Sequence, residues 1–414
     1  MKMTLVATSL FGLERQLGEE IDALGYNRTE TMDGRITYEG DEKAVARSNM
    51  FLSLAERVYI LVGKFPATSF TELFDGVIGL PWEEYIDKND EFPVTGHAIK
   101  STLFSVPDCQ SIIKKAVVNR LSKKYGIQTF PEDSGLRIRI EFFIFKDIAY
   151  LMIDTSGTPL HKRGYRPVAN LAPIRETLAM ALVKNARLRE GTLLWDPFCG
   201  SGTITIEAAR DAARIAPGIL RSFSGEDYWF IDGDSWDEAR EEAKSLVKKD
   251  CTFEAYASDI DPECIEIAKE NAKRAGVDGR IKFFVKDARR IYKPDCRGTL
   301  ICNPPYGERL MSEDEVKFLY KDIGRTFDKF DPWQIYVITG FEDFEYWYGR
   351  RADKKRKLYN GMIPCTLYQY YKPKDTTPQR GSDKQRDYRP KGESPYRGND
   401  KKRNYKPKEF NKKK

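Results

Sequence analysis

Histidine is scarce here: only His97 and His161 stand among 414 residues. A histidine metal cluster has almost nothing to form from, so no metal site is expected. Cysteine is present but unpatterned. Cys109, Cys199, Cys251, Cys264, Cys296, Cys302 and Cys365 are odd in number and include no Cys-x-x-Cys pair. That argues against both a disulfide framework and a zinc ribbon. No apolar run reaches the ~18 residues of a membrane-spanning helix. The opening MKMTLVATSLFGLERQLGEE turns polar too early for a secretory signal. A reducing cytoplasm, with no membrane partner, is the simplest expectation.

What is there suits a folded chain of two or three domains, with 41% hydrophobic and 12% aromatic residues. The formal charge of +6 is unevenly spread. Residues 374–414 hold 15 Lys/Arg against 6 Asp/Glu, net +9, which leaves −3 for the rest. That segment has no Leu, Ile, Val, Met, Cys or Trp. It cannot bury enough apolar surface to offset the entropy of ordering, and reads as a disordered basic tail. Tyr388-Arg389-Pro390, Tyr396-Arg397-Gly398 and Tyr405-Lys406-Pro407 alternate ring and cation, a pattern that suits RNA. A solubilising tail is the plainer alternative.

The first half alternates strand and helix patterns: MTLVATS, a helix over GLERQLGEEIDALG, GRITYEG, then a helix over DEKAVARSNMFLSLA. RVYILVGKFPA starts a second pattern. In DCQSIIKKAVVNRLSKKYG, Ile112, Ile113, Ala116, Val117 and Leu121 mark one helix face. LRIRIEFFIFKDIAYLMIDTSG reads as two paired strands about a Lys146-Asp147 turn. Ser101, Lys114, Lys115, Arg120, Lys123 and Lys124 form a mildly basic surface, or simply a solvated helix face. Lys162, Arg163 and Arg166 make a basic connector. From residue 193 strands and helices alternate strictly, which implies a parallel, doubly wound sheet.

Two stretches carry chemistry. In LLWDPFCGSGTITIEAA an apolar strand runs into Asp196-Pro197-Phe198-Cys199-Gly200-Ser201-Gly202 and opens a helix. Glycines let the backbone approach a ligand closely, and a nucleotide-type cofactor is the natural guest at the strand's carboxyl end. The loop lacks the Gly-Lys-Ser/Thr of a Walker loop and is not a clean Gly-x-Gly-x-x-Gly. Asp259 stands where the next strand should end and can accept a ribose diol. Asp287 ends the third strand and can take an adenine amine. Each alone could be a helix cap, as Asp261 before Pro262 is expected to be.

In LICNPPYGERL, Asn303-Pro304-Pro305-Tyr306 follows a fourth strand. The prolines fix φ and remove two amide donors, leaving carbonyls and the Asn303 amide as an acceptor array. Such an array suits an exocyclic amine, whose lone pair is delocalised into the base. Asn303 Oδ1 and the Pro304 carbonyl can hold its two protons, Tyr306 can stack on the base, and no strong base is needed.

DPFCGSG, SDID and NPPYGERL resemble the class I S-adenosylmethionine-dependent methyltransferases of exocyclic amines. LHKRGYR, APIRETLAMAL and IAPGILRSF narrow the resemblance to the THUMP-domain RNA guanine-N2 methyltransferases, similar to the bacterial 23S rRNA enzymes. The resemblance covers about residues 1–373. It implies an α/β chain: a ferredoxin-like unit (1–55), a THUMP RNA-binding domain (56–155), a connector (156–190), a Rossmann-like class I methyltransferase domain (191–373) and the basic tail. By the same resemblance, Asp196, Pro197, Cys199, Gly200, Ser201 and Gly202 surround the methionine part of the cofactor. Asp259 binds its ribose and Asp287 its adenine, while Asn303, Pro304, Pro305 and Tyr306 hold the target base. Cys199 serves as packing, and Arg175 and Thr177 reach cofactor or RNA. Large-subunit rRNA is the expected substrate, bound by the THUMP domain, connector and tail. The alternatives are tRNA guanine-N2 methylation, adenine-N6 methylation, and a non-catalytic RNA-binding assembly factor.

Overall fold

Two seven-stranded sheets organise the chain in the computed structural model, which describes residues 2–130, 135–166, 174–306 and 311–371. The basic tail, residues 307–310 of the proline motif and residues 167–173 of the connector lie outside the described residues.

The first sheet is built from β1 (Met3–Ser9), β2 (Arg28–Met32), β3 (Arg35–Gly40), β4 (Ala55–Pro66), β5 (Val94–Ile99), β6 (Ile140–Phe145) and β7 (Ile148–Asp154), in the order β2-β3-β1-β4-β7-β6-β5. Helices α1 (Glu14–Ala23), α2 (Glu42–Phe51), α3 (Phe70–Ile78) and α4 (Val106–Tyr125) accompany it. The expected β6–β7 turn is there: Phe145 pairs with Ile148, and Lys146 and Asp147 take φ of 50° and 61°. Two left-handed residues match the twist of a two-residue hairpin, and Asp tolerates that conformation. The helix face foreseen on α4 buries Ile113, Ala116, Val117 and Leu121 completely. Strand β1 pairs with β4 from Leu5↔Ile60 onward, so one continuous sheet joins what the sequence reads as two leading units.

Helix α5 (Glu176–Ala186) leads into the second sheet. Its strands are β8 (Leu193–Asp196), β9 (Ala255–Asp259), β10 (Ile281–Val285), β11 (Gly298–Cys302), β12 (Gln334–Thr339), β13 (Lys354–Asn360) and β14 (Ile363–Tyr370), ordered β10-β9-β8-β11-β12-β14-β13. Helices α6 (Thr203–Ala212), α7 (Gly233–Ser245), α8 (Pro262–Arg274), α9 (Glu313–Phe327) and the short α10 (Phe344–Tyr348) connect them. The first five strands in space are parallel, as expected, but β14 and β13 add an antiparallel hairpin beyond β12. The sheet is therefore mixed. The sequence reading also passed over α7 and the polar edge strand β2.

The connector corrects another expectation. Arg163 is buried, not offered to RNA. Its Nε lies 3.6 Å from Glu207 Oε2 on α6, and its other nitrogens donate to the Leu160 and Ser53 carbonyls. Tyr165 Oη donates to Glu207 Oε1 at 2.9 Å. Arg166 pairs with Glu176 Oε2 at 3.0 Å and donates to Thr203 Oγ1 at 2.8 Å. A guanidinium leaves water only when paired and hydrogen-bonded, and these two are. Of the three connector cations only Lys162 is exposed. Arg175 and the buried Thr177 are likewise engaged, both donating to Glu56, which also holds His161 Nδ1 at 2.9 Å. A bidentate Arg47–Glu242 pair, at 2.7 and 2.8 Å, adds a tie between α2 and α7.

Candidate active site

Parallel pairing puts the carboxyl ends of β10, β9, β8 and β11 side by side on one sheet edge. Asp259 closes β9 and Asp196 closes β8. Asp287 stands two residues past β10, and Asn303 directly follows β11. Strands lie about 4.8 Å apart, so the ends of β9 and β11 are about 10 Å apart, within reach of one small molecule. The connection order reverses between β8 and β11, where open α/β sheets form a binding crevice.

The glycine loop is tied into this edge. Gly200 N donates to Asp259 Oδ2 at 2.9 Å, and Cys199 N to the Ser258 carbonyl at 3.0 Å. Asn271 Nδ2 on α8 donates to the Ser201 carbonyl at 3.0 Å. Ser201 Oγ lies 3.2 Å from Thr203 Oγ1, the hydroxyl that Arg166 also holds. Gly202 has φ +80°, and a Cβ there would stand 3.1 Å from Ala268 Cβ and 3.2 Å from Ile206 Cδ1. Pro197 and Cys199 are buried beneath the loop. Burial pushes the Cys199 thiol well up, with the nearby Asp196 and Asp259 carboxylates adding to it, so it packs rather than attacks.

The three acids differ. Asp196 is fully buried: its Oδ1 accepts from Phe198 N at 3.0 Å, while Oδ2 has no hydrogen-bond partner among the described residues. Desolvation raises its pKa well above the carboxylate range. Asp259 is also raised, mainly by burial, although its two oxygens accept from Gly200 N and Asp261 N. Asp287 is depressed, because Arg289 grips both its oxygens at 2.7–3.0 Å. It caps the turn that follows β10, a local task beside any ligand role. Asp261 caps α8, as foreseen.

Asn303 Oδ1 is buried and has no hydrogen-bond partner among the described residues. A buried, unsatisfied acceptor costs about 1–3 kcal/mol, so such an atom points to a missing donor. The Pro305 carbonyl is taken, accepting from Tyr320 Oη at 2.9 Å, and Tyr320 also meets Thr339 Oγ1 at 2.8 Å. Of the acceptors expected here, the Asn303 side-chain oxygen is thus the one without a hydrogen-bond partner among the described residues. The Tyr306 ring lies against Gly340, where a Cβ would come within 3.1 Å of Tyr306 Cδ2. Its oxygen accepts from Asn360 Nδ2 at 3.0 Å and from the Cys365 thiol at 3.6 Å. Burial pushes the Tyr306 phenol up, so it stays protonated and is no base.

Gly340, Asn360 and Cys365 were not foreseen as site residues. Gly361 was a turn signal that could have pointed to the hairpin carrying two of them. A cavity of about 510 Å³ lies elsewhere, lined by Arg187, Thr192, Asp211, Lys248, Asp250 and Phe253 among others. It sits where β8 and β9 begin, the edge opposite the acids and Asn303. The crevice at the strands' carboxyl ends instead carries two buried acceptors, Asp196 Oδ2 and Asn303 Oδ1, that have no hydrogen-bond partner among the described residues. Among the described residues no group of three or more His, Cys, Asp or Glu gathers as a metal site, and no helix is long and apolar enough to cross a membrane.

Comparison with known proteins agrees with this geometry. Residues 163–369 match a family described as an RMKL-like methyltransferase domain. Residues 4–59 match an RlmL ferredoxin-like domain, and 67–154 a THUMP domain. A Bacillus subtilis protein named "Putative RNA methyltransferase" is 42% identical over 92% of this chain and 98% of its own length. A Psychromonas ingrahamii protein named ribosomal RNA large subunit methyltransferase K/L is 35% identical over 87% of this chain, which spans about half (49%) of that longer relative. Among solved structures, a Listeria monocytogenes protein described as a "predicted N6-adenine-specific DNA methylase" is 44% identical, with TM-score 0.84 over 90% of this chain and 97% of that one. A protein described as a "putative methyltransferase complexed with SAH" is 38% identical, with TM-score 0.83 over 89% and 98%. The chain belongs to the RMKL-like methyltransferase family, with RlmL-type ferredoxin-like and THUMP domains ahead of the catalytic one.

Proposed function

We propose that the chain methylates the exocyclic N2 amine of a guanine in RNA, in 23S rRNA, using S-adenosylmethionine in the cytoplasm. The observation that carries the reading is Asn303 Oδ1, a buried acceptor at the carboxyl end of β11 without a donor among the described residues. The relative complexed with SAH supports the cofactor, the THUMP match an RNA partner, and the relative named for large-subunit rRNA the substrate. The residues fit the cofactor. The orphan Asp196 Oδ2 suits its ammonium group, the backbone of Gly200–Gly202 its methionine part, Asp259 its ribose, and a lone pair that Arg289 leaves on Asp287 its adenine.

Bound there, S-adenosylmethionine supplies an electrophilic methyl group on a sulfonium. The protein's own residues prepare the amine. Asn303 Oδ1 and the Pro304 carbonyl accept its two N–H groups, which draws the lone pair out of conjugation with the ring. Tyr306 stacks on the base, its oxygen fixed by Asn360 and its ring backed by Gly340. The proton released after transfer leaves to water. Tyr306 is held protonated and Cys199 is held as a thiol, so neither removes it.

The test is nucleoside mass spectrometry with position mapping on RNA from cells lacking the protein. Loss of one N2-methylguanosine in 23S rRNA, restored by the purified enzyme, is expected. The name of the Listeria protein favours a second reading, adenine N6, which predicts loss of N6-methyladenosine instead.

A further inference from the structure

We infer that the β13–β14 hairpin grips the RNA beside the target guanine and that Met362 at its tip is the apolar wedge that fills the gap the guanine leaves. The inference rests on the RNA-methylation reading above. The hairpin turns through Gly361 and Met362 alone, since Asn360 pairs with Ile363, and Gly361 takes φ +64°. That is a tight hairpin turn with glycine where positive φ is required. It presents Met362 at 94% exposure, while Leu358, Cys365 and Leu367 of the same hairpin are buried. Ile363 beside it is also partly out, at 43%, so the tip as a whole turns apolar side chains to solvent, with Met362 furthest out.

The tip stands beside the pocket. Asn360 and Cys365, from the two strands, both contact the Tyr306 oxygen. Phe11, 54% exposed, meets the Tyr359 ring edge-on, with centroids 6.0 Å apart. Ahead of the rings β13 carries Lys354-Lys355-Arg356-Lys357 on the edge of the sheet. Arg356 fastens the hairpin, with NH1 on Asn185 Oδ1 at 2.8 Å and NH2 on the Gly12 carbonyl. Lys355 pairs with Glu345 at 2.7 Å. Lys354 and Lys357 are exposed and make no ion pair among the described residues. Edge lysines also deter strand pairing, but that task needs neither the rings nor Met362. Cations for phosphates, rings for bases and an apolar wedge are together what a protein opening a base stack presents. Taking a base out of its stack costs energy, which a side chain filling the vacated place offsets in part.

Single-turnover methyl transfer from radiolabelled S-adenosylmethionine to protein-free 23S rRNA transcript reads this step. Met362→Ala should slow transfer at least about tenfold, with cofactor affinity unchanged, and Met362→Leu should keep the wild-type rate. On the same transcript with the pairing and stacking partners of the mapped guanine removed, Met362→Ala should match wild type. Parity of Met362→Ala with wild type on the folded transcript overturns the wedge. So does an equal loss on both transcripts, which would leave the hairpin only a support for Tyr306. Replacing Lys354 and Lys357 together by alanine should weaken filter binding of the transcript and reduce its salt slope by about 1.5; an unchanged slope overturns the grip. Wild-type protein that methylates no guanine overturns the RNA-methylation reading and the wedge with it, whereas wild-type transfer with variant parity overturns the wedge alone.

Discussion

The two sheets have the same number of strands and very different consequences. In the leading sheet, neighbours run mostly antiparallel, so strand ends alternate between its two edges. No edge collects one kind of terminus, and the polar residues near it serve mainly to lock packing, as Asn49, Thr155 and Ser156 do. In the second sheet, five parallel strands send every carboxyl end to one edge. Asp259, Asp196 and Asn303 stand together there although they are far apart in sequence. Parallel topology brings three separate strand endings to one edge. Two acids illustrate the contrast: Glu207 at the junction faces Arg163, while Asp196 at the strand ends has no ion pair among the described residues.

If that contrast is right, junction and site should fail in different ways. The largest effect is expected from Arg163→Ala, which leaves Glu207 buried without its cation. Breaking such a pair costs about 3–5 kcal/mol, so denaturant unfolding should show a large loss of stability, whereas a surface-like loss under 1 kcal/mol would show the pair to be incidental. Asn303→Ala should unfold like wild type and bind cofactor normally, yet slow single-turnover transfer about 10²–10³-fold; near wild-type turnover would remove it from the site. Asp259→Ala should lose about 1.5–3 kcal/mol of cofactor affinity by calorimetry, the worth of a charged hydrogen bond.

Asp196 sharpens the comparison through pH. Burial holds its pKa well above the usual range in the free protein, so it carries a proton at pH values where an exposed aspartate would not. An ammonium group beside its free oxygen favours the ionised form and lowers that pKa. Cofactor binding should therefore release protons and tighten as pH rises toward the free-state pKa, by at most about tenfold per pH unit for one group. Calorimetry in buffers of different ionisation heat measures the release, which Asp196→Asn should abolish. Smallest of all, deletion of residues 374–414 should weaken RNA binding roughly a few-fold at physiological salt and leave the modified position unchanged. Coincident binding curves across salt would make the tail only a solubilising extension.

Much of the second sheet was legible because each parallel strand is a short apolar run stopped by a polar residue: Leu-Leu-Trp before Asp196, Leu-Ile-Cys before Asn303. The glycine loop and proline motif show themselves by composition alone. The hairpin β13–β14 escaped because Lys354-Lys355-Arg356-Lys357 masks the two-residue period of its strand. β2 escaped because an edge strand in water needs no apolar residues. The roles of Arg163 and Arg166 were unreadable for another reason. A cation looks the same in sequence whether it meets solvent or a carboxylate, and their partners Glu207 and Glu176 come from helices whose placement only the fold decides.

Arg163, Tyr165 and Arg166 reach α6, the helix that opens from the glycine loop. The consequence is one of heredity. A chimaera joined after Arg166 carries two guanidinium groups that lose their carboxylate partners, unless it also inherits Glu207 and Glu176. An exchange of the two halves must therefore carry both sides of this seam, because a lost carboxylate there leaves a desolvated guanidinium unpaired.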